Sequence, residues 1–168
     1  NEMSRLFADA AIVIDDNATA GLEFGHAASA LFDTSLKLVH FDAYTTPDAN
    51  PGVAALFRTP VGRSVSIASF LDKKAFDADP SCRAILQPQA IDKGLIVPFH
   101  RDGPGLGYMN VLRRKRQADF NDEEARAFEM LAAHIARACE IRRCMLARRL
   151  RTETRRQRMH AARAVEGM

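Results

Sequence analysis

The chain has 168 residues, 47% of them apolar and 27% charged, with a net charge of +3. That is enough apolar material for one domain with a full core. No apolar run approaches the ~18 residues needed to span a bilayer, and no charged-then-apolar opening reads as a secretory leader. Cys82, Cys139 and Cys144 are an odd set without a pairing pattern. They read as buried, unreactive thiols of a cytoplasmic protein without a membrane partner.

The net charge conceals a split. Residues 141–168 hold nine arginines against Glu153 and Glu166, a balance of +7, while residues 1–140 hold fifteen basic and nineteen acidic residues, a balance of −4. A mildly acidic domain is thus followed by a basic tail. The opening Asn1-Glu2-Met3 reads as a piece cut from a longer protein.

In chain order, Ala10–Ile14 is a β-branched apolar run and predicts a buried strand. Asp15–Gly21 has turn chemistry, and Leu22–His26 alternates as a second strand. Ala28–Tyr44 fits a helix better than a strand, and Thr45–Gly52 breaks it. Asn50-Pro51 opens a short helix over Val53–Phe57. Val61–Ser66 enters a strand or loop, and Asp72–Leu86 holds one or two helical segments.

Leu95–Phe99 is the strongest predicted strand, Asp102–Gly105 a turn, and Leu106–Leu112 the return strand. Both strands are apolar on both faces, which predicts central strands covered on both sides. Asn121 with Glu124 three residues later predicts a capping box, and three acids occupy the first helical turn. Phe128, Leu131, Ala132, Ile135, Ala138 and Cys139 then form an apolar stripe at helical spacing. The stripe meets Arg142, and nothing breaks the helix before Gly167. The expected fold is α+β: a GAF/PAS-like antiparallel sheet covered by helices, with a long C-terminal helix projecting from it. Residues 1–141 form the domain and 142–168 a basic linker helix.

Three stretches resemble the GAF-like sensor domain that precedes the helix-turn-helix of LuxR-type bacterial transcriptional regulators. They are Phe41–Tyr44 with Asn50–Phe57, Cys82–Ile91, and Asp119–Glu124 with Leu131–Ala138. In the second, Ala90 stands where the family commonly has glycine. The resemblance covers most of residues 10–150. It implies a small-molecule or conformational sensor that dimerises through terminal helices. DNA would be met only through an output domain absent from this chain.

Chemical motifs are sparse. The five histidines are scattered without ligand spacing, so no metal site is expected. Gly103–Gly107 joins two strands and lacks the lysine and hydroxyl of a phosphate loop. No catalytic set stands out, so the chain is expected to be no enzyme and to carry no cofactor. Some GAF-like domains attach a bilin through a cysteine followed by histidine, but Arg83 follows Cys82. The run Arg113–Arg116 reads as a solvated loop, with an anionic partner as the alternative.

A ligand pocket is expected between the sheet and its helices, with Tyr44, Phe57, Phe70, Ile85, Phe99, His100 and Asn110 as candidates. Asn110 interrupts an apolar strand, and a buried amide needs partners. Phe128, Leu131, Ile135, Met145, Leu146 and Leu150 are the candidates for a dimerising and signalling helix. The function these readings imply is the sensing half of a regulator, working as a homodimer with a small-molecule ligand. The alternatives are a stand-alone GAF-like binding protein or cysteine-dependent enzyme, and a basic-tailed adaptor that binds nucleic acid directly.

Overall fold

A computed structural model of the chain describes residues 7–16, 25–29, 31–33, 51–102 and 105–166, with side chains placed except at 16, 25–28 and 155–166. Its strands are β1 (Ala11–Asp16), β2 (Gly25–Ala28), β3 (Val65–Ser66), β4 (Ile91–Asp102) and β5 (Gly105–Arg114). They form one five-stranded antiparallel sheet in the order β2-β1-β5-β4-β3. The helices are α1 (Pro51–Arg58), α2 (Ile67–Phe70), α3 (Lys73–Ala78) and α4 (Asp122–Glu166). A π-helical turn over Cys82–Leu86 and a 3-10 turn over Gln87–Gln89 lead into β4. The α+β fold, with helices on an antiparallel sheet and a long terminal helix, is therefore the observed one.

Strand alternation divides the apolar residues between two layers. Val97, Met109 and Val111 face α4, and together with Phe128 and Ala132 they are 0% exposed. A Cβ at Gly107 would lie 2.5 Å from Phe99 Cε2, so this glycine makes the space that the ring occupies. On the other face Val13, Ile96, Leu106 and Leu112 meet Leu56, Ile67, Phe76 and Ile85 from the shorter helices and turns.

Pro98 sits in a central strand, where its missing N–H would normally cost a ladder bond. The β4–β5 register slips between Pro98 and His100, and Gly62 N–H donates to the Pro98 carbonyl at 2.8 Å. The proline thus occupies a bulge, one of the few sheet positions that tolerate it.

The start of α4 is fixed three ways. Asn121 Oδ1 accepts from Glu124 N–H at 2.9 Å, and Glu124 Oε2 accepts from Asn121 N–H at 3.0 Å, which closes the capping box. Arg113, from the end of β5, grips the same carboxylate with both guanidinium nitrogens, at 2.5 and 3.2 Å. Its guanidinium also lies 4.2 Å from the Phe120 ring centroid. One turn along α4, Glu129 accepts from Ser64 N–H at 2.8 Å and Ser64 Oγ–H at 2.9 Å, pinning the α1–β3 loop.

The last α4 residue packed on the sheet is Cys139. The helix runs on to Glu166, a total of 45 residues and roughly 67 Å at 1.5 Å per residue. Along the run, Arg142, Arg148, Arg149 and Leu150 are exposed.

Some expectations shift. The second strand is Gly25–Ala28, and most of the expected helix over Ala28–Tyr44 lies outside the described residues. The Asp72–Leu86 segment divides at Asp79, which precedes Pro80 and is extended at φ −64°, ψ 125°. A residue before proline avoids the helical region, so the helix stops there and the wider π-helical turn follows. The cysteines are not uniformly buried either: Cys82 is, Cys139 is half-buried, and Cys144 is exposed on the projecting helix. There the apolar stripe no longer has a sheet to cover it.

Candidate functional site

The described residues do not fill the face of the sheet away from α4. A cavity of about 120 Å³ lies between it and the shorter helices. Val13, Ile96, Tyr108, Asn110 and Leu112 form the floor from three strands. Pro51, Val53 and Leu56 of α1 form one wall, and Ile67 and Phe70 of α2 another. Cys82 and Ile85 of the π-helical turn, with Asp79 and Ser81 just before it, form a third wall.

Each wall has a local cause. Helix α1 begins at Pro51, whose fixed φ suits a first helical position. Its far end is held by Arg101, whose Nη2 donates to the carbonyls of Leu56 at 2.7 Å and Thr59 at 2.6 Å. That places a positive charge on the negative end of the helix. The opposite wall is held by Asp79, whose Oδ1 accepts from Cys82 N–H at 2.8 Å.

The floor carries the polar chemistry. Asp15 is 0% exposed and stands directly across from Tyr108 in the β1–β5 ladder. The two side chains are hydrogen-bonded, and burial first, then the Asp15 carboxylate, raise the Tyr108 phenol well above its ordinary pKa. Tyr108 is therefore a neutral hydroxyl. Two residues on, Asn110 points to the same face, and its buried Oδ1 has no hydrogen-bond partner among the described residues. An unmet buried carbonyl costs about 1–3 kcal/mol.

Cys82 is the nucleophile nearest this chemistry, and it is disarmed. Burial, and then the Asp79 and Asp77 carboxylates, push its thiol up to about 12. At neutral pH it is a protonated, apolar wall element. No group of three or more metal-ligating side chains occurs among the described residues, and none of their helices is long and apolar enough to cross a membrane.

Of the residues expected at a pocket, Phe70, Ile85 and Asn110 line the cavity. Phe57 packs on the same core with its ring 5.8 Å from the Arg101 guanidinium, outside the lining. Phe99 lies on the opposite face against α4, and half-buried His100 pairs with Gly107 at the bulge. Tyr44 lies outside the described residues. The floor residue Tyr108 and its partner Asp15 were not anticipated. Asp15-Asp16-Asn17 imitates a turn, although Ala11, Val13 and Asp15 already share a parity. Tyr108 was legible from the same period-two rule that places it beside Asn110.

On the long helix, Phe128 is fully buried, and Leu131 and Ile135 are half-buried against the sheet, so these three anchor α4 in its own domain. Leu146 is half-buried, while Met145 and Leu150 are 53% and 46% exposed. Met130 and Ile141, at 66% and 54%, share one side of the helix with Met145. Of the basic run, Arg113 is committed to Glu124, while Arg114, Lys115 and Arg116 are exposed.

No protein-family model matches the sequence, and no curated protein matches it significantly. Among solved structures, the crystal structure of the cyanobacteriochrome TePixJ GAF domain is similar, with a TM-score of 0.50 over 83% of this chain and 82% of that one, at 13% identity. At that identity the likeness concerns the fold, which is GAF-like.

Proposed function

We propose that this chain is the signal-sensing and dimerising part of a bacterial transcriptional regulator, with a small molecule held in the cavity and the signal carried out along α4. The observation that carries this reading is the double role of β5. Tyr108, Asn110 and Leu112 face the cavity, Met109 and Val111 face α4, and Arg113 grips the first turn of α4 through Glu124. A ligand that binds one placement of β5 better than another biases the placement of the helix. The basic, projecting end of α4 is the connection to an output domain. Met130, Ile141 and Met145 form the face on which a second copy packs, mainly through apolar contact, since the arginines of two copies repel.

Sedimentation equilibrium tests the assembly. A dimer at micromolar concentration is expected, with Ile141→Glu/Met145→Glu giving a folded monomer; a monomeric unsubstituted chain overturns the dimer. Reading the gene beyond the codon for Met168 tests the output. A helix-turn-helix there supports a regulator, and an immediate stop codon moves the stand-alone binding protein to the front. A cysteine-dependent enzyme is the weaker alternative, because the one cysteine at the cavity is held as a thiol.

A further inference from the structure

The cavity has a definite chemical preference, and the inference that follows rests on its being a ligand site. We infer that its ligand is a small, single-ring molecule, uncharged or cationic, that donates a hydrogen bond to Asn110 Oδ1. Size comes first. At about 120 Å³ the space is well below the range of ~300–1,000 Å³ usual for drug-sized ligands. It is comparable to the ~150 Å³ protein cavity that accommodates benzene. A nucleotide or an open-chain tetrapyrrole is several times too large to be enclosed by it.

Charge comes second. The described lining contains no arginine, lysine or histidine, while Asp79 supplies a carboxylate at the wall. On the same face of the sheet, the Asp15 carboxylate stands beside the Tyr108 phenol, outside the lining. A phosphate or carboxylate ligand would be desolvated with no cation among the described lining residues to meet it and two carboxylates nearby. Most of the lining is aliphatic or aromatic, which suits an apolar ring.

Polarity comes third. Asn110 Oδ1 is buried, unpartnered among the described residues, and able only to accept. The complementary ligand group is an N–H or O–H. Binding such a group removes an existing penalty as well as forming a bond, so the donor is worth more here than at a satisfied site.

Phenol, toluene and benzoate separate these arguments, since they share a ring and differ in donor and charge. Titrated into the 168-residue protein with chemical shifts as readout, phenol should saturate at least about tenfold more tightly than toluene, one unmet hydrogen bond's worth. Benzoate should show no saturable binding. Asn110→Leu, nearly isosteric but without an acceptor, should erase the phenol-over-toluene preference while toluene still binds. Toluene binding as tightly as phenol, or benzoate binding best, overturns the ligand class and leaves the cavity as a site. If no ring binds even at millimolar concentration, the ligand-site reading itself fails. Should Asn110→Leu not fold, Asn110→Val also removes the side-chain acceptor, and an unchanged phenol preference in that variant also overturns the inference.

Discussion

The two faces of the sheet are built to different standards. Against α4, five apolar side chains have no exposure at all, and a glycine is placed so that Phe99 fits. Against the shorter helices, a comparable set of apolar residues surrounds an open cavity and an amide oxygen without a partner among the described residues. One face spends its residues on holding the long helix in a single position. The other leaves space and an unmet polar group, a less stable arrangement that a bound molecule would correct. The same strand, β5, belongs to both, which is why the difference bears on signalling.

The largest effect should come from the rigid face. Phe128→Ala removes a fully buried ring between α4 and the sheet, and should lower unfolding free energy by about 3–5 kcal/mol. The midpoint of urea denaturation, with an unchanged slope, measures it. A loss below about 1 kcal/mol would mean that α4 is not docked as described. A sharper contrast adds the same methylene to each face. Val111→Ile, at a position with 0% exposure facing α4, should destabilise by about 1–3 kcal/mol through overpacking. Val53→Ile, on the cavity wall, has room for the extra carbon. It should be neutral or stabilising by up to about 0.8 kcal/mol, the worth of one buried methylene. Equal effects at the two sites would erase the distinction between the faces.

The clamp at the start of α4 gives a smaller, pH-dependent effect. The hydrogen bond from Arg113 chiefly holds the Glu124 carboxyl below its ordinary value; burial opposes it, and Asn121 N–H and the Arg113 charge assist. A lowered folded pKa means that the carboxylate stabilises the fold above its unfolded value of about 4.3, and that this contribution disappears as pH falls through the folded value. Glu124→Gln should therefore cost about 1–2 kcal/mol at pH 7, with the gap to the unsubstituted protein closing toward pH 3. A gap independent of pH would assign the loss to packing and not to charge. The preference for phenol over toluene should persist in this variant, since Glu124 does not touch the cavity.

How much of this was legible depended on whether local pattern or long-range pairing decides a feature. The β4–β5 hairpin and the α4 stripe were readable because period two and period 3.6 are strong over Leu95–Leu112 and Asn121–Cys139. The capping box was readable because its two residues lie three apart. Asn110 stood out because a polar residue inside an apolar strand needs a reason. Asp15 did not, since its meaning comes from Tyr108, ninety-three positions away and adjacent only once β1 pairs with β5. Phe99 was assigned to the pocket as one more aromatic, but only the place of Gly107 across the ladder shows where its ring goes. Arg113 looked like part of a solvated run for the same reason: the carboxylate it grips belongs to another element.

Ala90 sharpens the comparison at its finest scale. It ends the 3-10 turn that follows the cavity wall and leads into β4, and it does so at φ 57°, ψ 28°, in the left-handed region. An alanine thus holds a backbone conformation that favours glycine. Ala90 N–H donates to Gln87 O at 2.9 Å, and its carbonyl accepts from Lys115 N–H at 2.8 Å, so the neighbouring structure holds the residue in place. Left-handed backbone costs a residue with a Cβ about 1–2 kcal/mol, while glycine's greater freedom in the unfolded chain returns about 0.4–1 kcal/mol of that difference. Ala90→Gly should therefore stabilise by up to about 1 kcal/mol, read from the same denaturation midpoint. A loss of stability would mean that the turn is not strained. A gain accompanied by weaker phenol binding would go further, because it would show that strain stored on this side of the sheet keeps the cavity open.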